Sequence, residues 1–217
     1  YMRETALLNF MNDALVARSA TFPGGPVDLA LFNATAILAG LQPGPLSFGD
    51  WYAVMPYADQ VHVARMTGAQ IGEMLQSNAH RLVRPEEAAG LDLSGFVSRG
   101  FMHFSSGIRY RIALGADATQ ARAEDITVLG RPLDAVRDEI FTLAVNTYIQ
   151  LGGFAEAWNG QPIVAGVPGE IAGMNLRALD YVHTGLVYRN EIIAHIREQG
   201  GISPEGGARL DGRLIVA

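Results

Sequence analysis

Val61-His62-Val63-Ala64-Arg65-Met66 runs without a break into Thr67-Gly68-Ala69-Gln70 and then Ile71-Gly72-Glu73-Met74-Leu75. This stretch decides the fold class. The first six residues read as a strand. Thr67 and Gln70, a hydroxyl and an amide three residues apart, make a capping box that can satisfy the free amides of a first helical turn. Ile71, Met74, Leu75 and Leu82 then recur on one face, which predicts a helix over 71–82. A strand handing over directly to a helix calls for a fold in which helices cover a sheet.

The same reading extends in both directions. Leu7, Leu8, Met11, Ala14 and Leu15 predict an amphipathic helix over 4–19, broken by Thr21 to Pro26, and Val27 to Asn33 reads as a strand. Gly40 to Pro45 is a loop, and Ser47 with Asp50 forms a second capping box ahead of a short helix at Trp51 to Met55. From Phe101 the period becomes two. Ile108, Tyr110, Ile112 and Leu114 face one way and Arg109 and Arg111 the other, as a half-buried strand requires. Ile126 to Val128 and Ile140 to Val145 continue as strands around a Gly130-Arg131-Pro132 turn. Tyr188, Ile192, Ile193 and Ile196 predict a last helix, capped by Gly200-Gly201. With no repeat and no long linker, residues 1–217 are expected to form one α+β domain built on a mixed sheet.

Composition narrows the function. Of 217 residues 49% are hydrophobic and 18% charged, the balance of a chain that buries a full core. The formal charge of −6, with arginines scattered singly, argues against a nucleic-acid partner. Cysteine is absent, which removes disulfides, thiol nucleophiles and thiolate metal sites. No apolar run reaches transmembrane length and no signal-peptide pattern opens the chain, so a soluble piece, trimmed or mature, is expected.

Catalytic signatures are missing. His62, His80, His103, His183 and His195 stand apart without metal-ligand spacing, so neither a metal site nor a catalytic residue is expected. There is no nucleophile elbow and no phosphate-cradling glycine loop. Ser105-Ser106-Gly107 has no assignable base, and Asn33-Ala34-Thr35 fits a glycosylation sequon. Two aromatic residues stand out instead. Tyr57, in Met55-Pro56-Tyr57-Ala58-Asp59, and Tyr148, in Asn146-Thr147-Tyr148-Ile149-Gln150-Leu151-Gly152-Gly153, each follow or precede a strand, and together they can sandwich a flat ligand such as a nucleobase. The other reading is that both rings merely cap the sheet edge.

The ordered set of segments resembles the C-terminal, nucleotide-recognising domain of the 5'-nucleotidase family of metallophosphoesterases. Arg3-Glu4-Thr5 with Asn9 and Asp13-Ala14 is similar to the family's opening helix, and Asp28 to Asn33 to its strand ending in Asn. Pro43 to Asp50 resembles the Gly-x-Ile-Thr-x-x-Asp step. Met55 to Asp59 stands at the place of Leu-Pro-Phe-Gly-Asn, Met66-Thr67-Gly68 at that of Leu-Thr-Gly, and Asn146-Thr147-Tyr148 with Gly152-Gly153 at that of the late aromatic and paired glycines.

The resemblance implies that Tyr57 and Tyr148 stack on the two faces of a base, with Asn33, Asp59, Gly152, Gly153 and Phe154 around them. It also implies a nucleotide or nucleoside ligand and two divalent metals held in a separate N-terminal metallophosphoesterase domain. A periplasmic or extracellular parent hydrolase, a 5'-nucleotidase or a 2',3'-cyclic-nucleotide phosphodiesterase/3'-nucleotidase, follows, and this chain alone should be inactive. Departures are visible. Leu38 stands where the family has the arginine of Gly-Gly-Gly-Ile-Arg, Tyr1 at the second usual arginine, and Phe154 where many members have Asp. A scaffold or interaction domain that kept the fold and lost the ligand is the competing expectation, and a self-sufficient hydrolase is a third that lacks a catalytic cluster.

Overall fold

The computed structural model describes residues 1–151 and 175–217. Helix α1 (Ala6–Arg18) starts at Thr5, whose hydroxyl accepts from the Leu8 amide. Strand β1 (Leu29–Asn33) and helix α2 (Phe48–Val54) follow, the latter behind the Ser47/Asp50 capping box. Strand β2 (Gln60–Thr67) passes into helix α3 (Gly68–Arg81) through the Thr67/Gln70 box. Gly68 is required at that corner, because a Cβ there would lie 2.2 Å from the Val136 carbonyl oxygen.

Helices α4 (Pro85–Ala88) and α5 (Leu93–Ser98) lead to strands β3 (Met102–Phe104), β4 (Ile108–Ala113), β5 (Arg122–Val128) and β6 (Arg131–Pro132). Strand β7 (Ile140–Asn146) passes into helix α6 (Thr147–Gln150). Strand β8 (Tyr181–Val187), helix α7 (Tyr188–Gln199) and strand β9 (Leu214–Val216) complete the described elements.

Among the described residues the strands form two sheets. The larger has the order β3-β1-β7-β2-β8, with β1 and β7 parallel and the other pairs antiparallel. The smaller has the order β6-β5-β4-β9, with β9 parallel to β4. The mixed α+β architecture agrees with the sequence reading, which foresaw one mixed sheet where the strands divide between two. Each sheet is itself mixed.

Alternate side chains of the large sheet enter two separate apolar layers. Leu29, Leu31, Ala64, Met66, Leu143 and Val145 pack with α3 and with Ile108, Tyr110 and Ile112 of the small sheet. Ala30, Phe32, Val61, Val63 and Ala144 pack on the opposite side with α1, α7 and Trp51. Burial on both faces is why β1 reads as an unbroken apolar run. Gly200 ends α7 in the left-handed conformation at φ 75°, as its place in the sequence predicts.

Candidate functional site

Strands β1 and β7 are parallel, so their carboxyl ends lie on one edge of the large sheet, the side on which open α/β sheets place ligands. Antiparallel β2 begins at that edge, with Val61 opposite Asn146. Asn33, Asp59 and Tyr148, widely separated in sequence, are therefore brought to one place.

Buried amides fasten this edge. The Asn146 Nδ2 donates to Asn33 Oδ1 at 2.7 Å, and Asn33 Nδ2 in turn donates to the Thr35 hydroxyl. Asn146 Oδ1 accepts from the Ile149 amide at 3.0 Å, which caps α6 and sets the direction of Tyr148. Both ends of the Asn33 amide thus engage protein groups, and Asn33 is only 2% exposed. The glycosylation sequon that it opens is folded inside. Asn146→Ala should cost about 1–3 kcal/mol, because it removes two buried hydrogen bonds and leaves Asn33 Oδ1 unsatisfied. Urea unfolding of the variant against the parent chain measures this.

Asp59 ties β2 to α6. Its Oδ1 accepts from the Thr147 hydroxyl at 3.0 Å, that hydroxyl accepts from the Gln60 amide at 3.2 Å, and the Asp59 carbonyl accepts from the Tyr188 amide at 2.8 Å. Burial pushes its carboxyl pKa up, and the Thr147 bond opposes this. The preceding loop is held from α7, where Arg189 donates to the Pro56 carbonyl at 2.7 Å and lies 4.9 Å from the centre of the Tyr52 ring. Tyr57 projects from this loop with 46% of its surface exposed.

Tyr148 is half-buried and its phenol pKa is raised, first by burial and then by the Asp59 carboxylate, with Tyr57 adding to the rise and Arg81 opposing it. The two tyrosines singled out in the sequence therefore lie within electrostatic reach of each other. Sequence reasoning missed two neighbours. Tyr1 packs edge-on against Phe96 at 5.8 Å, its carbonyl accepts from the Val83 amide, and its phenol is pushed up to about 12 by burial and by Tyr148 and Tyr57. Arg81, fully buried at the end of α3, donates to the Ser77 hydroxyl at 3.1 Å and to the Arg99 carbonyl at 3.3 Å. Burial lowers its pKa to about 10, against a smaller upward pull from Tyr148. Neither Tyr1 nor Arg81 carries a local motif, since both reach the site through tertiary packing.

Leu38, at the place of the expected arginine, is 57% exposed, and no guanidinium is supplied from that position. Gly152, Gly153 and Phe154 lie outside the described residues. Among the described residues no three His, Asp or Glu side chains converge. Ser105 and Ser106 serve the backbone. The Ser105 hydroxyl accepts from the Ala30 amide, and the Ser106 amide donates to Asp13. No described helix is long and apolar enough to cross a membrane.

The comparisons with known proteins agree with this architecture. A trifunctional nucleotide phosphoesterase of Bacillus subtilis is 27% identical over 169 residues, covering 74% of this chain and 10% of its own length. A probable 5'-nucleotidase of Treponema pallidum is 24% identical over 148 residues, covering 66% and 23% respectively. This chain therefore spans less than a quarter of either curated relative. The crystal structure of a 5'-nucleotidase precursor from Thermus thermophilus superimposes with a TM-score of 0.69 at 22% identity, over 99% of this chain and 36% of that one. That likeness shows the fold. Residues 1–158 match the model of the 5'-nucleotidase C-terminal domain, and the chain belongs to that family.

Proposed function

We propose that this chain is the substrate-recognition domain of a nucleotide phosphohydrolase and that it holds a nucleobase between the rings of Tyr57 and Tyr148. The observation that carries the reading is that Tyr57, on the loop before β2, and Tyr148, on α6 directly after β7, lie within electrostatic reach of each other at one strand edge, with Tyr57 46% exposed. A base stacked on an aromatic ring is held by about 1–3 kcal/mol. The Tyr148 phenol, its pKa raised by burial, stays protonated at neutral pH and can donate to the ligand edge. Asp59, Asn33 and the segment Gly152, Gly153 and Phe154 belong to the same proposed site, with Asn33 and Asn146 bracing it from below.

On this reading the chemistry resides elsewhere in the parent protein, in an N-terminal metallophosphoesterase domain whose two divalent metals activate water and polarise the phosphate. The parent is proposed to be periplasmic or extracellular, and this chain alone to be inactive. A second reading, a scaffold that has lost its ligand, draws on exposed Leu38 at the place where a guanidinium would grip phosphate.

Calorimetry with adenosine, AMP and 2',3'-cyclic AMP separates the two. Binding is expected, and Tyr148→Ala and Tyr57→Ala should each weaken it by about tenfold or more, the equivalent of losing one stacked face. Heat from none of the three ligands supports the scaffold. Phosphate release by the isolated chain would remove the recognition-domain reading altogether.

A further inference from the structure

We propose that His62 and His183 form a two-imidazole site for a divalent transition-metal ion such as Cu(II), Ni(II) or Zn(II), at the open edge of the large sheet. The two residues are directly opposite each other on antiparallel β2 and β8. Such cross-strand neighbours project side by side from the same face of the sheet. His62 Nε2 and His183 Nδ1 lie 3.0 Å apart, and the ring planes are inclined at 77°.

These distances suit chelation. With metal–nitrogen bonds of about 2.0–2.1 Å, two nitrogens at a right angle about the ion lie about 2.9 Å apart, and at a tetrahedral angle about 3.3 Å. The observed spacing falls between them. A straight N–H···N bond of this length would hold the ring centres about 5.3 Å apart. Here they are 4.2 Å apart, so the rings are bent off that line.

The surroundings favour a ligating pair. His62 is buried against the Tyr181 ring, 6.2 Å between centres, which restrains its orientation, and its Nδ1 has no hydrogen-bond partner. The proton can reside on Nδ1 while Nε2 ligates. His183 is exposed on a strand at the end of the sheet, which gives an ion and its remaining water ligands a way in. Imidazole nitrogens without carboxylates select borderline transition metals over Mg²⁺ or Ca²⁺.

An ion here would pin β8 to β2 three residues beyond Asp59, beside the helix that carries Tyr148. The test is titration of the whole chain with CuSO4 and NiCl2, followed by calorimetry and by thermal unfolding. One equivalent should bind and raise the unfolding midpoint, and the Cu(II) paramagnetic resonance spectrum should report two nitrogen donors. His183→Ala, at an exposed position that leaves the core intact, should weaken binding by about tenfold or more, and His80→Gln should not. Unchanged affinity in His183→Ala, a spectrum with fewer than two nitrogens, or no binding below millimolar metal overturns the site.

Discussion

Arg213→Met should lower the unfolding free energy by about 3 kcal/mol, the low end of the range for removing one partner from a buried ion pair. Arg213 is 4% exposed and joins segments distant in sequence. Its guanidinium donates to both Asp13 oxygens, at 3.1 and 2.8 Å, to both Asp211 oxygens, at 3.0 and 2.7 Å, and to the Phe104 carbonyl at 3.2 Å. One residue thus pins α1, β3 and the start of β9. Partial exposure of the two carboxylates keeps the loss at the low end, and urea unfolding at pH 7 measures it.

The same variant should lose an acid transition. Arg213 depresses the Asp211 pKa below its ordinary 3.8, so the stability from this group is fully present above 3.8 and disappears as pH falls through the lower folded value. In Arg213→Met that limb should vanish. Stability against pH below 4 would show it, and an unchanged limb would rule out Asp211 as its source.

A second acid effect should begin at higher pH. His103 is fully enclosed beside Phe101, its Nε2 has no partner, and burial, ahead of nearby positive charge, lowers its pKa from 6.5 to about 3. The unfolded chain takes up a proton below 6.5 that the folded chain refuses. Stability contributed by the neutral ring is therefore intact above 6.5 and should drain by about 1.4 kcal/mol per pH unit as pH falls toward the folded value. His103→Leu should flatten the slope between pH 6 and pH 4 by one proton. An identical slope in parent and variant would show that His103 is not the group responsible.

Elements specified by local chemistry were legible in the sequence. The handover from β2 to α3 is written in the Thr67/Gln70 cap, and the arrest of α7 in Gly200. Strands β8 and β9 were not legible. At the sheet edges they leave many side chains partly exposed, and apolar alternation fades where one neighbour is missing. Division into two sheets is likewise a long-range outcome that no window of sequence contains.

The candidate site divides in the same way. Tyr57 and Tyr148 were singled out because each sits in a distinctive turn, whereas Arg81 reads in sequence only as a basic residue near a helix end, the ordinary complement of the helix dipole. Asn33 was expected among the ligand-facing groups. The structure adds a bond that sequence cannot announce, the Asn146 amide on its carbonyl oxygen.

The parallel pairing of β9 with β4 also bears on how the polypeptide leaves the ribosome. Tyr110 opposes Leu214, so one flank of β4 stays unmatched until about a hundred further residues have been translated. During that interval the cationic Arg109 stands on the waiting strand, where its charge discourages annealing to a neighbouring nascent copy, while Arg111 is paired with Glu124 and Asp125 of β5. Synthesis and maturation of the smaller sheet are thereby coupled to arrival of its final strand.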